Sequence, residues 1–148
     1  HSCKRKDIFL SNEKLFCRRV SSDLICSYDN KRLFALNTLV VLNLKEQSPY
    51  KLKFLLALLN SRLLNYFYKN KYKSTKKVFS EIQAHSLGKL PIANTENQGV
   101  IINLVDKILE QKIQNSNTDT LNLEHRIDEL VMDLYGLTEK EKEIIRNS

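Results

Sequence analysis

Residues 48–70 read SPYKLKFLLALLNSRLLNYFYKN. A serine hydroxyl can cap a helix and proline suits the first helical position, so Ser48-Pro49 predicts a helix start. Leu52, Leu55, Leu56, Leu59, Leu63, Tyr66 and Phe67 recur at helical spacing and predict one apolar stripe. Phe54 and Leu58 fall off that stripe, which predicts burial on more than one flank. At Lys69 the apolar run gives way to KNKYKSTKK, residues 69–77. The expectation is a buried helix that delivers a lysine-rich loop.

Upstream, LFCRRV (15–20) and LICSY (24–28) read as strands joined by the turn VSSD (20–23), being apolar runs bounded by Ser and Asp. Strand alternation puts Phe16, Arg18 and Val20 on one face and Leu15, Cys17 and Arg19 on the other. Asp29-Asn30-Lys31 reads as a turn. LVVLNL (39–44) is the strongest strand, and Ile8 to Leu10 a further edge. Downstream, Phe79, Ile82 and Leu87 predict a short helix ended by Gly88. Lys89 to Ile92 then runs extended into the sheet or along it, since the residue before Pro91 is steered away from helix. Thr95 with Gln98 predicts a capping box, although Gly99 weakens the turn it would open. Ile101, Leu104, Val105 and Ile108 give a second stripe, and Gln114 to Thr120 a loop. Leu123, Ile127, Leu130, Val131 and Leu134 give a third stripe, closed by Gly136. Thr138 with Glu141 opens a last charged helix. The expected fold is α+β: a small, mostly antiparallel sheet with a long buried helix, followed by a helical C-terminal part. The expected units are 1–93, an α+β core, and 94–148, a helical segment packing on that core or on a partner.

The net charge is +7 over 148 residues, unevenly spread. Residues 1–77 hold 17 Lys+Arg against 5 Asp+Glu, and residues 78–148 hold 7 against 12. A basic half suits a polyanion; an acidic half faces solvent or protein. No apolar run approaches the roughly 20 residues that span a bilayer, so no membrane role is expected. Cys3, Cys17 and Cys26 form no metal-binding pair. With no secretion signal read in the chain, they are expected as reduced thiols of a cytoplasmic protein, Cys17 and Cys26 filling space in adjacent strands. His1 in place of Met reads as part of a longer protein.

Enzyme motifs do not assemble. The three glycines, Gly88, Gly99 and Gly136, are too dispersed for a phosphate loop. Asp106 with Glu110-Gln111-Lys112 has the look of a nuclease signature but reads as the polar side of a helix. His85 has no ligand-spaced neighbour. The basic constellation is different: Lys69, Lys71, Lys73, Lys76 and Lys77 lie in nine residues with Tyr68 and Tyr72 interleaved. Lysine attracts phosphate, and tyrosine can donate to phosphate or lie on sugar and base. Arg18 or Arg19, at a strand end, can offer a planar fork to guanine, and alternation lets only one of them face a given surface.

The order LFCRRV, LICSYD, LNTLVVLNL, KFLLALLNSRLLNYFY and FSEI…LGKLPI resembles the TaqI-like C-terminal specificity domain of adenine-N6 DNA methyltransferases and type II restriction–modification enzymes. Leu58-Leu59-Asn60-Ser61 and Leu90-Pro91-Ile92 carry it most distinctively, and Ile127 to Ile145 resembles the ending of such proteins. The resemblance implies a target-recognition domain that binds double-stranded DNA beside a catalytic domain. That other domain would hold S-adenosylmethionine and an Asn-Pro-Pro-Tyr-like motif; no cofactor is expected in this chain. Base-reading residues vary with target in that family, so none carries over. Asn60 and Ser61 match the motif and are expected to anchor a neighbouring backbone. The expected DNA-contacting set is Arg18, Arg19, Lys69, Lys71, Tyr72, Lys73, Ser74, Thr75, Lys76 and Lys77. The rival expectation is a protein-interaction module whose helices 97–114 and 121–135 dock a methyltransferase or nuclease subunit.

Overall fold

The computed structural model describes residues 11–34, 38–45, 47–71, 82 and 84–148. Three strands, β1 (Lys14–Arg18), β2 (Cys26–Asp29) and β3 (Leu39–Leu42), form a sheet of order β2-β1-β3. Both pairings are antiparallel, Leu15 standing opposite Tyr28 on one side and Leu42 on the other. Six helices follow among the described residues: α1 (Leu52–Asn60), α2 (Arg62–Lys71), α3 (Ala84–Leu87), α4 (Gly99–Gln114), α5 (Leu121–Leu134) and α6 (Glu139–Arg146). The α+β expectation is met. The Ile8–Leu10 edge and Phe79 lie outside the described residues.

The organising helix is not continuous. It starts at Leu52, because Ser48 spends its hydroxyl on the Tyr50 N–H and folds Ser48-Pro49 into a local turn. It breaks at Ser61, which sits in extended backbone with φ −68° and ψ 153°. The Ser61 Oγ donates to the Leu58 carbonyl at 2.6 Å and accepts from the Leu64 N–H, so one hydroxyl ends α1 and caps α2. Burial of α1 also exceeds one stripe. Phe54 and Leu58, off the predicted stripe, are both 0% exposed, while Leu55 and Leu63 are only partly buried. A helix apolar all round is one covered all round. Here the sheet covers one flank of α1 and α4 another.

Leu15, Cys17, Cys26, Val40, Phe54 and Leu58 join Ile101, Leu104, Val105, Ile127 and Val131 in one buried cluster. The second and third stripes are thereby consumed inside the chain. Gln98 does not act as a capping-box partner. Its side chain accepts from the Lys51 N–H and donates to the Pro49 carbonyl, tying the start of α1 to the start of α4. The Thr138–Glu141 box is present in full. Gly136 closes α5 at φ +71°, with the Leu137 N–H reaching back to the Met132 carbonyl. Lys89 to Ile92 does not join the sheet. The chain passes between two tyrosines, Tyr50 donating to the Ile92 carbonyl and Tyr135 to that of Pro91.

Cys17 and Cys26 do fill space in adjacent strands, but they are joined by a disulfide, which corrects the reduced-thiol expectation for this pair. The register sets them directly opposite, with Cα atoms 4.1 Å apart.

Candidate nucleic-acid interface

The sheet has two unlike faces. Leu15, Cys17, Cys26, Tyr28, Val40 and Leu42 share the face that joins the core. The other carries Lys14, Phe16, Arg18, Ser27, Asp29, Leu39 and Val41, by strand alternation and register. Arg18 is exposed on this outer face. Arg19 stands one residue beyond the strand, half-buried, its N–H donating to the Thr38 carbonyl and its own carbonyl accepting from the Ile82 N–H. The two arginines therefore diverge, and Arg18 is the one that presents its guanidinium on the outer face.

Lys69 and Lys71 occupy the last turn of α2, where cations favour the negative end of the helix dipole. Lys69 forms an ion pair with Asp23, in the turn between β1 and β2, and Lys71 Nζ lies 5.3 Å from the Phe67 ring centroid. The pair from Lys69 to Asp23 ties the end of α2 to the Arg18–Arg19 end of the sheet. The Ile82-to-Arg19 hydrogen bond brings the chain back to the same end. So the lysine-rich segment leaves from and returns to the neighbourhood of the two arginines. Tyr72, Lys73, Ser74, Thr75, Lys76 and Lys77 themselves lie outside the described residues. Tyr68 does not serve as an interleaved aromatic: it is 2% exposed, one helical turn from buried Leu64 and on the same side of α2.

Two asparagines hold this arrangement. Asn60 pairs its amide with the backbone of Cys26, accepting from the N–H at 2.8 Å and donating to the carbonyl at 2.9 Å. Its side chain thus stands where a further strand would bond the β2 edge. Asn65 accepts from the Leu24 N–H at 2.6 Å and donates to the Ser61 carbonyl at 2.9 Å. Asn60 anchors a backbone as expected, although at a helix break and not mid-helix. Asn65 was not legible, since nothing local marks a helical asparagine whose partner lies 41 residues away.

Not all of the basic half is available to a polyanion. Lys14 is 0% exposed and bound to Asp29 inside the sheet layer. Burial alone would raise the Asp29 carboxyl; hydrogen bonds from Lys14, Lys31 N–H and Leu33 N–H overcome it and hold the group below the usual carboxylate range. Tyr28 is pushed up by burial and by its hydrogen bond to Glu13. Asp128, on α5, accepts from the Arg62 N–H at the start of α2; burial raises its carboxyl, against the pull of that donor and of the Arg62 charge. Asp106 is paired with Lys53 across α1 and α4, and Lys112 donates to the Thr118 carbonyl, so both serve structure. His85 is exposed. Among the described residues no group of three or more His, Cys, Asp or Glu could hold a metal ion, and no helix is long and apolar enough to cross a membrane.

The described residues thus set an antiparallel sheet edge stapled to a broken helix, with arginine and lysine gathered at one end. The family model of the TaqI-like C-terminal specificity domain matches residues 2–92, and the chain belongs to that family. A curated relative in Methanocaldococcus jannaschii, "Putative type II restriction enzyme and methyltransferase", is 32% identical over 138 residues. That match covers 87% of this chain and 12% of the relative, so the chain spans about an eighth of the relative's length.

Proposed function

We propose that this chain is the DNA target-recognition domain of a restriction–modification protein. It positions a duplex for a catalytic domain elsewhere in the full-length protein. The observation that carries the reading is the convergence of Arg18, Arg19, Lys69 and both ends of the lysine-rich segment at one end of the sheet. Phosphate contacts come from the lysines, which suit sequence-independent attraction. Base reading is assigned to Arg18, because a strand-borne guanidinium holds a bidentate fork in register. Methylation of adenine, cleavage, or both are activities of the whole enzyme. S-adenosylmethionine is assigned to that catalytic domain, as the family resemblance implies.

The protein-interaction reading is less well supported. The stripes of α4 and α5 that would dock a partner are spent on α1 and on each other. The test is a fluorescence titration of the full-length protein onto duplex DNA at several salt concentrations. If about four phosphates are neutralised, log affinity falls with log salt at a slope near −3.6. No binding at low salt, or a flat slope, contradicts the proposal.

A further inference from the structure

The disulfide between Cys17 and Cys26 sits where the sheet presents Arg18. Cys17 precedes Arg18, and Cys26 follows Ile25, whose carbonyl accepts from the Arg18 N–H at 3.0 Å. That bond makes Arg18 and Ile25 a hydrogen-bonded pair. Alternation then makes Cys17 and Cys26 the adjoining non-bonded pair, where opposed side chains lie closest. The disulfide is therefore the lateral tie between β1 and β2 beside Arg18. Cys26 is held a second time, by the Asn60 amide on its N–H and carbonyl. A displacement of β1 against this fixed edge moves Arg18.

As a staple of the fold the bond is poorly placed. A cross-link stabilises more the longer the loop it closes. This one spans a sequence separation of 9 between strands that already share a ladder, and it ties neither strand to a helix. Asn60 and Asn65 do that instead. As an exchangeable bond it is better placed. Cys17 is 0% exposed and Cys26 6%, and Cys26 lines an open cleft of about 480 Å³ beside the β2 edge, with Leu56, Val105 and Ile127 among its walls. A thiolate entering that cleft reaches Cys26 before Cys17.

Resting on the DNA-recognition reading above, we propose that Cys17 and Cys26 form a reversible thiol–disulfide site that sets how well Arg18 discriminates its base. The co-reactant is a dithiol. One of its thiolates attacks Cys26 Sγ, the S–S bond breaks, and Cys17 leaves as a thiolate and takes a proton. The second thiol then displaces Cys26, which is protonated in turn, and the dithiol closes into its own disulfide. The protein gains two electrons and two protons, and the dithiol loses them. The two thiol sulfurs then need van der Waals separation inside a close-packed layer, which pushes β1 from β2 beside Arg18. The oxidised form holds the guanidinium fork in register. The reduced form keeps its charge and loses that register.

The test uses the full-length protein, oxidised or reduced with dithiothreitol. Alkylation and peptide mass mapping report the state of Cys17 and Cys26, and anisotropy reports affinity for the cognate duplex and a scrambled one. Reduction should lower the cognate-to-scrambled affinity ratio by roughly tenfold, within the worth of one bidentate base contact, and leave scrambled binding unchanged. Reoxidation should restore the ratio. Cys17→Ala combined with Cys26→Ala should show the reduced ratio in both conditions. An equal ratio in the two states of the wild type overturns the proposal, as does a bond that dithiothreitol leaves intact in the native protein. A double variant that still responds to dithiothreitol places the effect on other cysteines and overturns it too. Loss of the melting transition together with all binding on reduction makes the bond a staple of the fold and equally overturns it. If the oxidised wild type binds no duplex, the recognition reading fails whatever the thiols do, which separates that failure from the loss of the switch alone.

Discussion

Asp29 is the residue on which most depends. Its carboxylate closes the buried pair with Lys14 and holds the turn after β2. Removing one partner of a buried pair strands the other charge, so Asp29→Ala should cost about 3–5 kcal/mol in denaturant unfolding. The folded pKa lies below its ordinary value of about 3.9, so its stabilisation is present above that pH and is lost as pH falls through the folded value. Acid unfolding of the wild type should therefore steepen below about pH 4, and Asp29→Asn should flatten that limb. At the surface, Lys69 and Asp23 are each about half exposed, and such a pair is worth little. Lys69 can exchange Asp23 for a phosphate at small cost. Asp23→Asn should thus tighten binding to any duplex by a few-fold at low salt, measured by anisotropy, with no change of preferred sequence. The sequence showed Lys14 only as one more positive charge. Its burial follows from standing in the central strand opposite Asp29, the partner of its ammonium, which composition does not reveal.

The sequence placed the apolar helix, the three strands and their alternation, because helical periodicity and short apolar runs bounded by Ser and Asp are local signals. It did not place the break at Ser61. Leu56 to Leu64 reads as unbroken helix; the Ser61 hydroxyl closes the break on Leu58 and Leu64, while Asn60 and Asn65 on either side of it hold the distant Cys26 and Leu24. Asn60→Ala would leave the Cys26 N–H and carbonyl without their partner. It should cost roughly 1–3 kcal/mol in thermal or denaturant melts. Leu58→Ala should cost about 2–5 kcal/mol, as truncation at a fully buried site, while Ile113→Ala, 84% exposed, should stay within about 0.5 kcal/mol. Equal effects at the two positions would contradict the packing of α1. The capping box at Thr138 and the glycine at 136 were legible outright, because each satisfies helix-end groups with residues only a few positions away.

Over the whole molecule, charge divides the chain while the core does not. The basic half brings Arg18, Arg19, Lys69 and Lys71 together, and the acidic helices pack behind α1 and brace α2, through Asp128 on the Arg62 N–H and the Arg146 carbonyl under the Arg62 guanidinium. The charge asymmetry and the family resemblance made a DNA-binding role readable from sequence. Which arginine points outward was not readable, because it depended on which face of β1 the core claims. The most direct measurement is the binding of full-length Arg18→Ala to its cognate duplex and to a scrambled duplex, with methylation protection as readout. The account predicts a loss of roughly 1–3 kcal/mol on the cognate site alone, relaxed at one base position. Equal weakening on both duplexes, or no change on either, would contradict it.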